Sequence, residues 1–64
     1  MTLEKRYKNS KRQYYAIVGE KSNDIARFDD LETAAICFRY LQGAELSEYE
    51  CETALSAFAA IDNQ

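Results

Sequence analysis

The stretch F-D-D-L-E-T-A-A-I-C-F-R-Y-L, from Phe28 to Leu41, decides the fold of this 64-residue chain. It opens with a capping pattern, because Asp29 can accept a hydrogen bond from a first-turn backbone N–H and Glu32 stands three residues further on. Gly43 supplies the left-handed residue with which many helices end. The pattern predicts one helix from about Asp30 to Gln42.

Apolar residues cover most of the circumference of this helix. With about 100° between successive residues, one side is predicted to form the core stripe, with Cys37 at its edge. The members of that stripe are Leu31, Ala34, Ala35, Phe38 and Leu41. Ile36 and Tyr40 fall on the opposite side, where a helix on a small core needs no apolar residue. Two interpretations stay open: the N-terminal segment or a second helix covers this pair, or the pair belongs to a protein interface.

Two predicted strands precede the helix. The segment Gln13–Val18 is rich in aromatic and β-branched residues. Asp24–Phe28 reads as a second strand with Ala26 and Phe28 on one face, and the turn residues Gly19–Asn23 between the two predict a β-hairpin. Both faces of the first strand are apolar, with Tyr15 and Ile17 together on one of them. We therefore expect this strand to be central in a sheet or paired across a subunit boundary.

A second helix follows a tight link. Ser47 and Glu50 form a capping box, which predicts a helix from about Glu48 to Ile61. Its predicted core stripe consists of Cys51, Ala54, Leu55, Phe58 and Ile61. The fold expected for residues 13–64 is therefore α+β, a β-hairpin followed by two α-helices packed on one face of the sheet (ββαα). Because an isolated two-stranded hairpin is marginal and leaves free strand edges, we also expect a homodimer with edge-to-edge pairing.

The charge of the chain is unevenly distributed. Residues 1–12 hold five basic residues and one acidic residue, a net charge of +4, whereas residues 13–64 hold three basic and ten acidic residues, a net charge of −7. The basic segment shows little apolar periodicity, which favours a flexible N-terminal arm; the alternative is a short strand at Glu4–Lys8 that turns at Asn9 and Ser10. Its basic side chains are candidate nucleic-acid contacts: Lys5, Arg6, Lys8, Lys11 and Arg12.

Nucleic-acid binding is the alternative function rather than the first, because the acidic body would repel phosphate. The strand–helix–helix order of Asp24–Ile61 resembles that of the ribbon-helix-helix repressors, which are dimers that read the major groove with paired strands. In this chain the corresponding strand offers only Arg27 as a base-reading donor. The nucleic-acid hypothesis therefore rests on the basic arm.

The composition argues against catalysis. The chain has no histidine, the usual acid–base group near neutral pH. Its clustered carboxylates stand in the predicted first turns of helices, where capping explains them. Cys37 and Cys51 lie on apolar faces and are expected to be buried, reduced thiols, and two cysteines without histidine do not make a usual structural zinc site. We expect no enzymatic activity, no cofactor, no metal and no small-molecule substrate.

The sequence also predicts a compartment. The basic N-terminus is followed by Asn9, Ser10 and Lys11 instead of an apolar run, so no signal peptide is expected. No stretch approaches the roughly 20 consecutive apolar residues that a membrane-spanning helix needs. We expect a cytoplasmic protein without a membrane partner.

The segment I-A-R-F-D-D-L-E-T-A-A-I-C-F-R-Y-L-Q-G-A, Ile25 to Ala44, resembles a segment of small uncharacterised proteins of phages and other mobile elements. In those proteins a short hairpin leads through a similar segment into a helix that ends R-Y-L-x-G. The resemblance covers about a third of the chain and implies a small accessory protein that acts in a bacterial cytoplasm by binding a host or phage protein. It carries over no catalytic or binding residue.

The first functional hypothesis is thus a non-catalytic protein-binding module, of the kind that regulates or inhibits a host protein. Its candidate interface residues are Ile36, Arg39 and Tyr40 of the first helix, with Tyr15 and Ile17 from the sheet face expected to be uncovered. The second hypothesis is a small dimeric nucleic-acid-binding regulator that uses the basic arm. A third is a subunit with only a structural role in a larger assembly.

Overall fold

A computed structural model describes residues 1–62, which form three strands and two helices. Their order is β1 (Thr2–Asn9), β2 (Arg12–Val18), β3 (Asp24–Phe28), α1 (Leu31–Leu41) and α2 (Glu48–Asp62). The strands make one antiparallel sheet in the order β1-β2-β3, so β2 is central, as predicted. α1 lies across the sheet and contacts all three strands, while α2 packs against α1. The α+β class is confirmed, with one strand more than the predicted ββαα arrangement.

The extra strand comes from the segment that was favoured as a flexible arm, and that prediction was wrong. The alternative, a strand over Glu4–Lys8 that turns at Asn9 and Ser10, is confirmed with the longer bounds Thr2–Asn9. β1 pairs with β2 along its length, and Leu3 lies opposite Ile17. The Asn9 side chain closes the following turn, because its Oδ1 accepts hydrogen bonds from two backbone N–H groups at 2.9 and 3.0 Å. β1 contributes only Leu3 to the margin of the core. Backbone pairing rather than apolar burial orders this strand, so hydrophobic periodicity does not reveal it.

The sheet face that was predicted to be uncovered, the one with Tyr15 and Ile17, is covered by α1. Ile17 is fully buried, and its neighbours across the sheet are Leu3 of β1 and Ala26 of β3. Tyr15 is half-buried and packs at the margin of the same core. The prediction that this face is free was wrong, because α1 lies on it.

Two layers cover α1, the sheet on one side and α2 on another. Cys37 is fully buried, and Ile36 is only 5% exposed. One turn further on, the ring of Tyr40 lies 5.9 Å from that of Phe58 in α2. The interpretation in which the second helix covers this side is therefore confirmed, and the predicted role of Ile36 in an interface was wrong.

Three leucines that were predicted to be in the core are exposed. Leu31 is 53% exposed, Leu41 is 39% exposed, and Leu55 of α2 is 55% exposed. In α1 the centre of the buried arc lies near Cys37 rather than near Phe38, because α2 packs on the side opposite the predicted stripe. The helical period therefore indicated that α1 is amphipathic but placed its buried arc wrongly.

Local capping fixes the helix ends. α1 begins after Asp30, not Asp29 as predicted, and Asp30 Oδ2 accepts a hydrogen bond from the Thr33 N–H at 2.8 Å. Gly43 ends the helix with φ 78°, as its position predicted. At the start of α2, the Ser47 and Glu50 side chains accept each other's backbone N–H at 3.2 Å, so the predicted capping box is confirmed.

Candidate interaction surfaces

The structure separates the five residues that were predicted to form a protein interface. Tyr15, Ile17 and Ile36 belong to the core or its margin. Arg39 and Tyr40 remain accessible near the end of α1. The Arg39 guanidinium pairs with the Glu50 carboxylate of α2, and Tyr40 is 38% exposed beside Phe58. Only these two are placed where another protein can reach them.

A different apolar surface runs along α1, which we call the outer stripe. Its members recur at helical spacing and are only partly buried: Leu31, Ala35, Phe38 and Leu41. These are residues that the sequence assigned to the core. Periodicity shows that such residues share a helix face, but it does not show whether the chain itself or another molecule covers that face.

The outer stripe lies on the β1 side of α1. The last described turn of α2 reaches β3, since Ile61 lines a depression together with Asp24–Arg27. α2 therefore occupies the β3 side of α1, where Ile36 and Tyr40 lie. Because the outer stripe lies on the opposite side of α1 from Ile36 and Tyr40, it lies away from α2 and toward β1. Within residues 1–62, β1 pairs only with β2, so its outer edge is free.

The sheet face that points away from the helices, which we call the open face, carries an ion-pair network. Arg6 Nη1 of β1 donates to both carboxylate oxygens of Asp24 in β3, at 2.7 and 2.8 Å. Arg27 Nη2 lies 2.9 Å from the same carboxylate. Between these strands Ala16 and Val18 of β2 are buried. The second apolar face of β2 is thus covered by charged side chains of neighbouring strands, whose aliphatic parts shield it.

This network shifts the titration of its carboxylate. The pKa of Asp24 lies below its ordinary value, mainly because its carboxylate accepts hydrogen bonds from Arg6. The hydrogen bond from Arg27 lowers this pKa further. The hydrogen bond with Asp24 in turn raises the pKa of Arg6. Arg6 is therefore a structural residue of the sheet, and it is the one nucleic-acid candidate whose charge is already neutralised at close range.

The charges of the chain are separated by layer. The sheet and its turns, residues 1–28, hold seven basic and three acidic residues, a net charge of +4. Residues 29–62, which contain the helices, hold one basic and eight acidic residues, a net charge of −7. What the sequence presents as a basic arm on an acidic body is, in the structure, a basic sheet under an acidic helical layer.

Most of the other nucleic-acid candidates gather at the β1–β2 turn. Lys8, Lys11 and Arg12 line one depression together with Gln13 and Asp29. Lys8 also lines the neighbouring depression with Tyr14 and Arg27. Among the side chains of residues 1–61, no carboxylate lies within ion-pair distance of Lys5, Lys8, Lys11 or Arg12. These four cations are exposed.

The two cysteines are separate, unbridged thiols. Cys37 is fully buried in the core, and burial is the main cause that raises its pKa. Cys51 is partly buried in α2. In the part of the chain that the structure describes, no group of three or more acidic, cysteine or histidine side chains is placed to hold a metal ion. Within the same residues, neither helix is long and apolar enough to cross a membrane.

Comparison with known proteins adds no relative to this description. The chain matches no protein-family model, no curated protein and no solved structure. The surfaces of the chain that bear on its function are the outer stripe, the free edge of β1, the Arg39–Tyr40 surface and the basic open face.

Proposed function

We propose that this chain is a small, non-catalytic protein-binding module that acts as a homodimer and regulates or inhibits another protein. The observation that carries the proposal is the position of the outer stripe beside the free edge of β1. An exposed strand edge offers unpaired backbone groups to another chain. The neighbouring leucines supply the apolar area that such pairing needs in water.

A second copy of the chain fits the edge of β1. Any two-fold antiparallel pairing of two β1 strands puts one residue opposite its own copy. With Lys5 at that position, Glu4 lies opposite Arg6 of the partner subunit, and the symmetry repeats this favourable pair. Each register centred on Glu4, Lys5 or Arg6 also brings two copies of that charged residue together, so charge pairing alone does not select among the three registers. Pairing of the two β1 strands gives a six-stranded sheet with an outer stripe from each subunit above the joint.

The unlike partner is assigned to the Arg39–Tyr40 surface, which dimerisation through β1 leaves free. Arginine and tyrosine are typical anchors of protein interfaces. Tyr40 is held by Phe58 and Arg39 by Glu50, so both side chains are ordered before they bind. The likeness of Ile25–Ala44 to small phage proteins supports a host or phage protein as this partner. Two unbridged cysteines support a reducing compartment, so we place the protein in the cytoplasm.

A pair of matched variants tests the proposed surface. Leu31 and Leu55 are both leucines on helices and are 53% and 55% exposed, but only Leu31 belongs to the outer stripe. Leu31→Lys is expected to convert the dimer into a folded monomer, whereas Leu55→Lys is expected to leave the dimer intact. Light scattering gives the mass, and circular dichroism checks that each variant is folded. A dimer that survives Leu31→Lys, or one that both variants disrupt equally, contradicts the proposed surface.

A further inference from the structure

We infer that the basic end of the open face binds the phosphate backbone of single-stranded nucleic acid without reading its sequence. This activity goes beyond protein binding and uses a different surface from the outer stripe. The inference starts from two adjoining depressions that share Lys8: one contains Lys11 and Arg12, and the other contains Tyr14 and Arg27. Together they make one path across the sheet, from the β1–β2 turn to β3.

The cations on this path are available to phosphate. Within the described residues, Lys8, Lys11 and Arg12 have no carboxylate partner at ion-pair distance. Arg27 is paired with Asp24 but remains largely exposed, with 66% of its side chain accessible. Asp29 is the acidic side chain that lines both depressions. A phosphodiester chain carries regularly spaced negative charges, so it can contact these three unpaired cations at several points.

Tyr14 fixes two of these cations. Lys8 Nζ lies 5.8 Å from the centre of its ring, and Arg27 Cζ lies 6.0 Å from it. A cation over an aromatic ring is attracted to it and loses conformational freedom. Because cations already lie over this ring, the site binds through phosphate contacts rather than through base stacking, which predicts little preference among base sequences.

The negative net charge of the chain does not oppose this binding, because the acidic residues lie mainly in the helical layer on the other side of the sheet. Screening in physiological salt reduces charge interactions beyond about 8 Å, and packed layers are about 10 Å apart. A phosphate on the open face therefore interacts with the nearby Lys8, Lys11 and Arg12 more strongly than with the carboxylates of α2.

The inference predicts a specific salt dependence. With three phosphate contacts to a single strand, the logarithm of the binding constant falls by about 2 for each tenfold rise in salt. Between 50 and 200 mM NaCl the affinity is then expected to fall about 20-fold. The probe is a fluorescently labelled single-stranded 20-mer of mixed sequence, and the readout is fluorescence anisotropy on the full chain.

Lys11 and Lys21 give a matched pair of variants. Both are exposed lysines in sheet turns, but Lys11 lines the basic path and Lys21 lies in the β2–β3 turn at the other end. Lys11→Gln is expected to weaken binding about 5- to 10-fold at 50 mM salt and to lower the salt slope by about 0.7, whereas Lys21→Gln leaves both unchanged. Asp29→Asn is expected to tighten binding.

Three results would overturn the inference. The first is no binding of the 20-mer at 50 mM salt. The second is equal weakening by Lys11→Gln and Lys21→Gln, which would mean that net charge alone controls binding. The third is equally tight binding of poly-glutamate, which would identify a surface for acidic proteins instead of a nucleic-acid backbone.

Discussion

The Arg6 guanidinium of β1 donates to both carboxylate oxygens of Asp24 in β3, at 2.7 and 2.8 Å, across the central strand of the sheet. This ion pair joins the two edge strands, which share no backbone hydrogen bonds. It also lies over the buried Ala16 on the open face. The pair therefore connects the order of β1, and with it the proposed dimer edge and the basic path, to a carboxylate that titrates in acid.

Stability is expected to fall in acid partly through Asp24. Its pKa is lowered in the folded chain, so the stabilisation is fully present above its ordinary pKa of 3.8 and is lost as the pH falls through the lower folded value. Asp30 and Glu50, whose pKa values are also lowered, act in the same direction. Urea unfolding between pH 6 and about pH 2 measures the effect. Asp24→Asn should lose less stability than the wild type over this range, and an unchanged pH profile would mean that the pair contributes nothing.

Ser22 is a site where substitution should stabilise the chain. It has φ 62°, in the left-handed region that costs energy for a residue with a Cβ. Ser22→Gly should raise the free energy of unfolding by about 0.5 kcal/mol. Glycine removes the steric cost of the positive φ, and this gain exceeds the cost of the extra conformational entropy that glycine gives the unfolded chain. Ser10→Gly, in the other hairpin turn and without a positive φ, should lower it. Chemical denaturation compares the two variants, and a destabilised Ser22→Gly would contradict this assignment.

Ile36 and Leu31 distinguish the core side of α1 from its outer stripe. Ile36→Ala removes a side chain that is buried between layers and should cost about 3 kcal/mol. Leu31→Ala removes a side chain that is more than half exposed and should change the stability of the monomer by less than about 0.5 kcal/mol. The measurement is the urea midpoint at a protein concentration low enough for the chain to be monomeric. Similar losses for the two variants would mean that the layers around α1 are wrongly assigned.

The two thiols should react at different rates. Cys37 is fully buried and its pKa is raised, whereas Cys51 is partly exposed. In native buffer iodoacetamide should modify Cys51 first. Cys37 should react only when the chain opens, because the reagent cannot reach it in the core and its raised pKa leaves little of the reactive thiolate. Mass spectrometry of digested samples over time gives both rates. Equal native rates would place Cys37 outside the core.

Local patterns in the sequence predicted local structure well. The bounds of β3, the Ser47–Glu50 capping box and the glycine that ends α1 all follow from interactions between residues close in the chain. β1 was considered only as the alternative to a flexible arm, because its order depends on pairing with β2 and on Arg6 reaching Asp24, contacts that no local pattern contains. Local patterns therefore identified the hairpin and helices, but they did not decide between a strand and an arm for the N-terminal segment.

The candidate surfaces were harder to predict for a related reason. Helical periodicity grouped Leu31, Phe38 and Leu41 correctly on one face, but the position of α2 decided which face of α1 was buried. The same position put Ile36 into the core. The basic residues were identified from composition alone, whereas their arrangement on one sheet layer required the three-dimensional fold.

The solution mass of the wild-type chain tests the central claim most directly. Light scattering on a sizing column, at protein concentrations from micromolar to several hundred micromolar, should give twice the chain mass of 7.4 kDa. A mass that approaches this dimer value and then stays constant is the predicted result, because pairing through one edge of each β1 closes after two copies. A folded monomer at every concentration, or a mass that continues to rise, would contradict the homodimer.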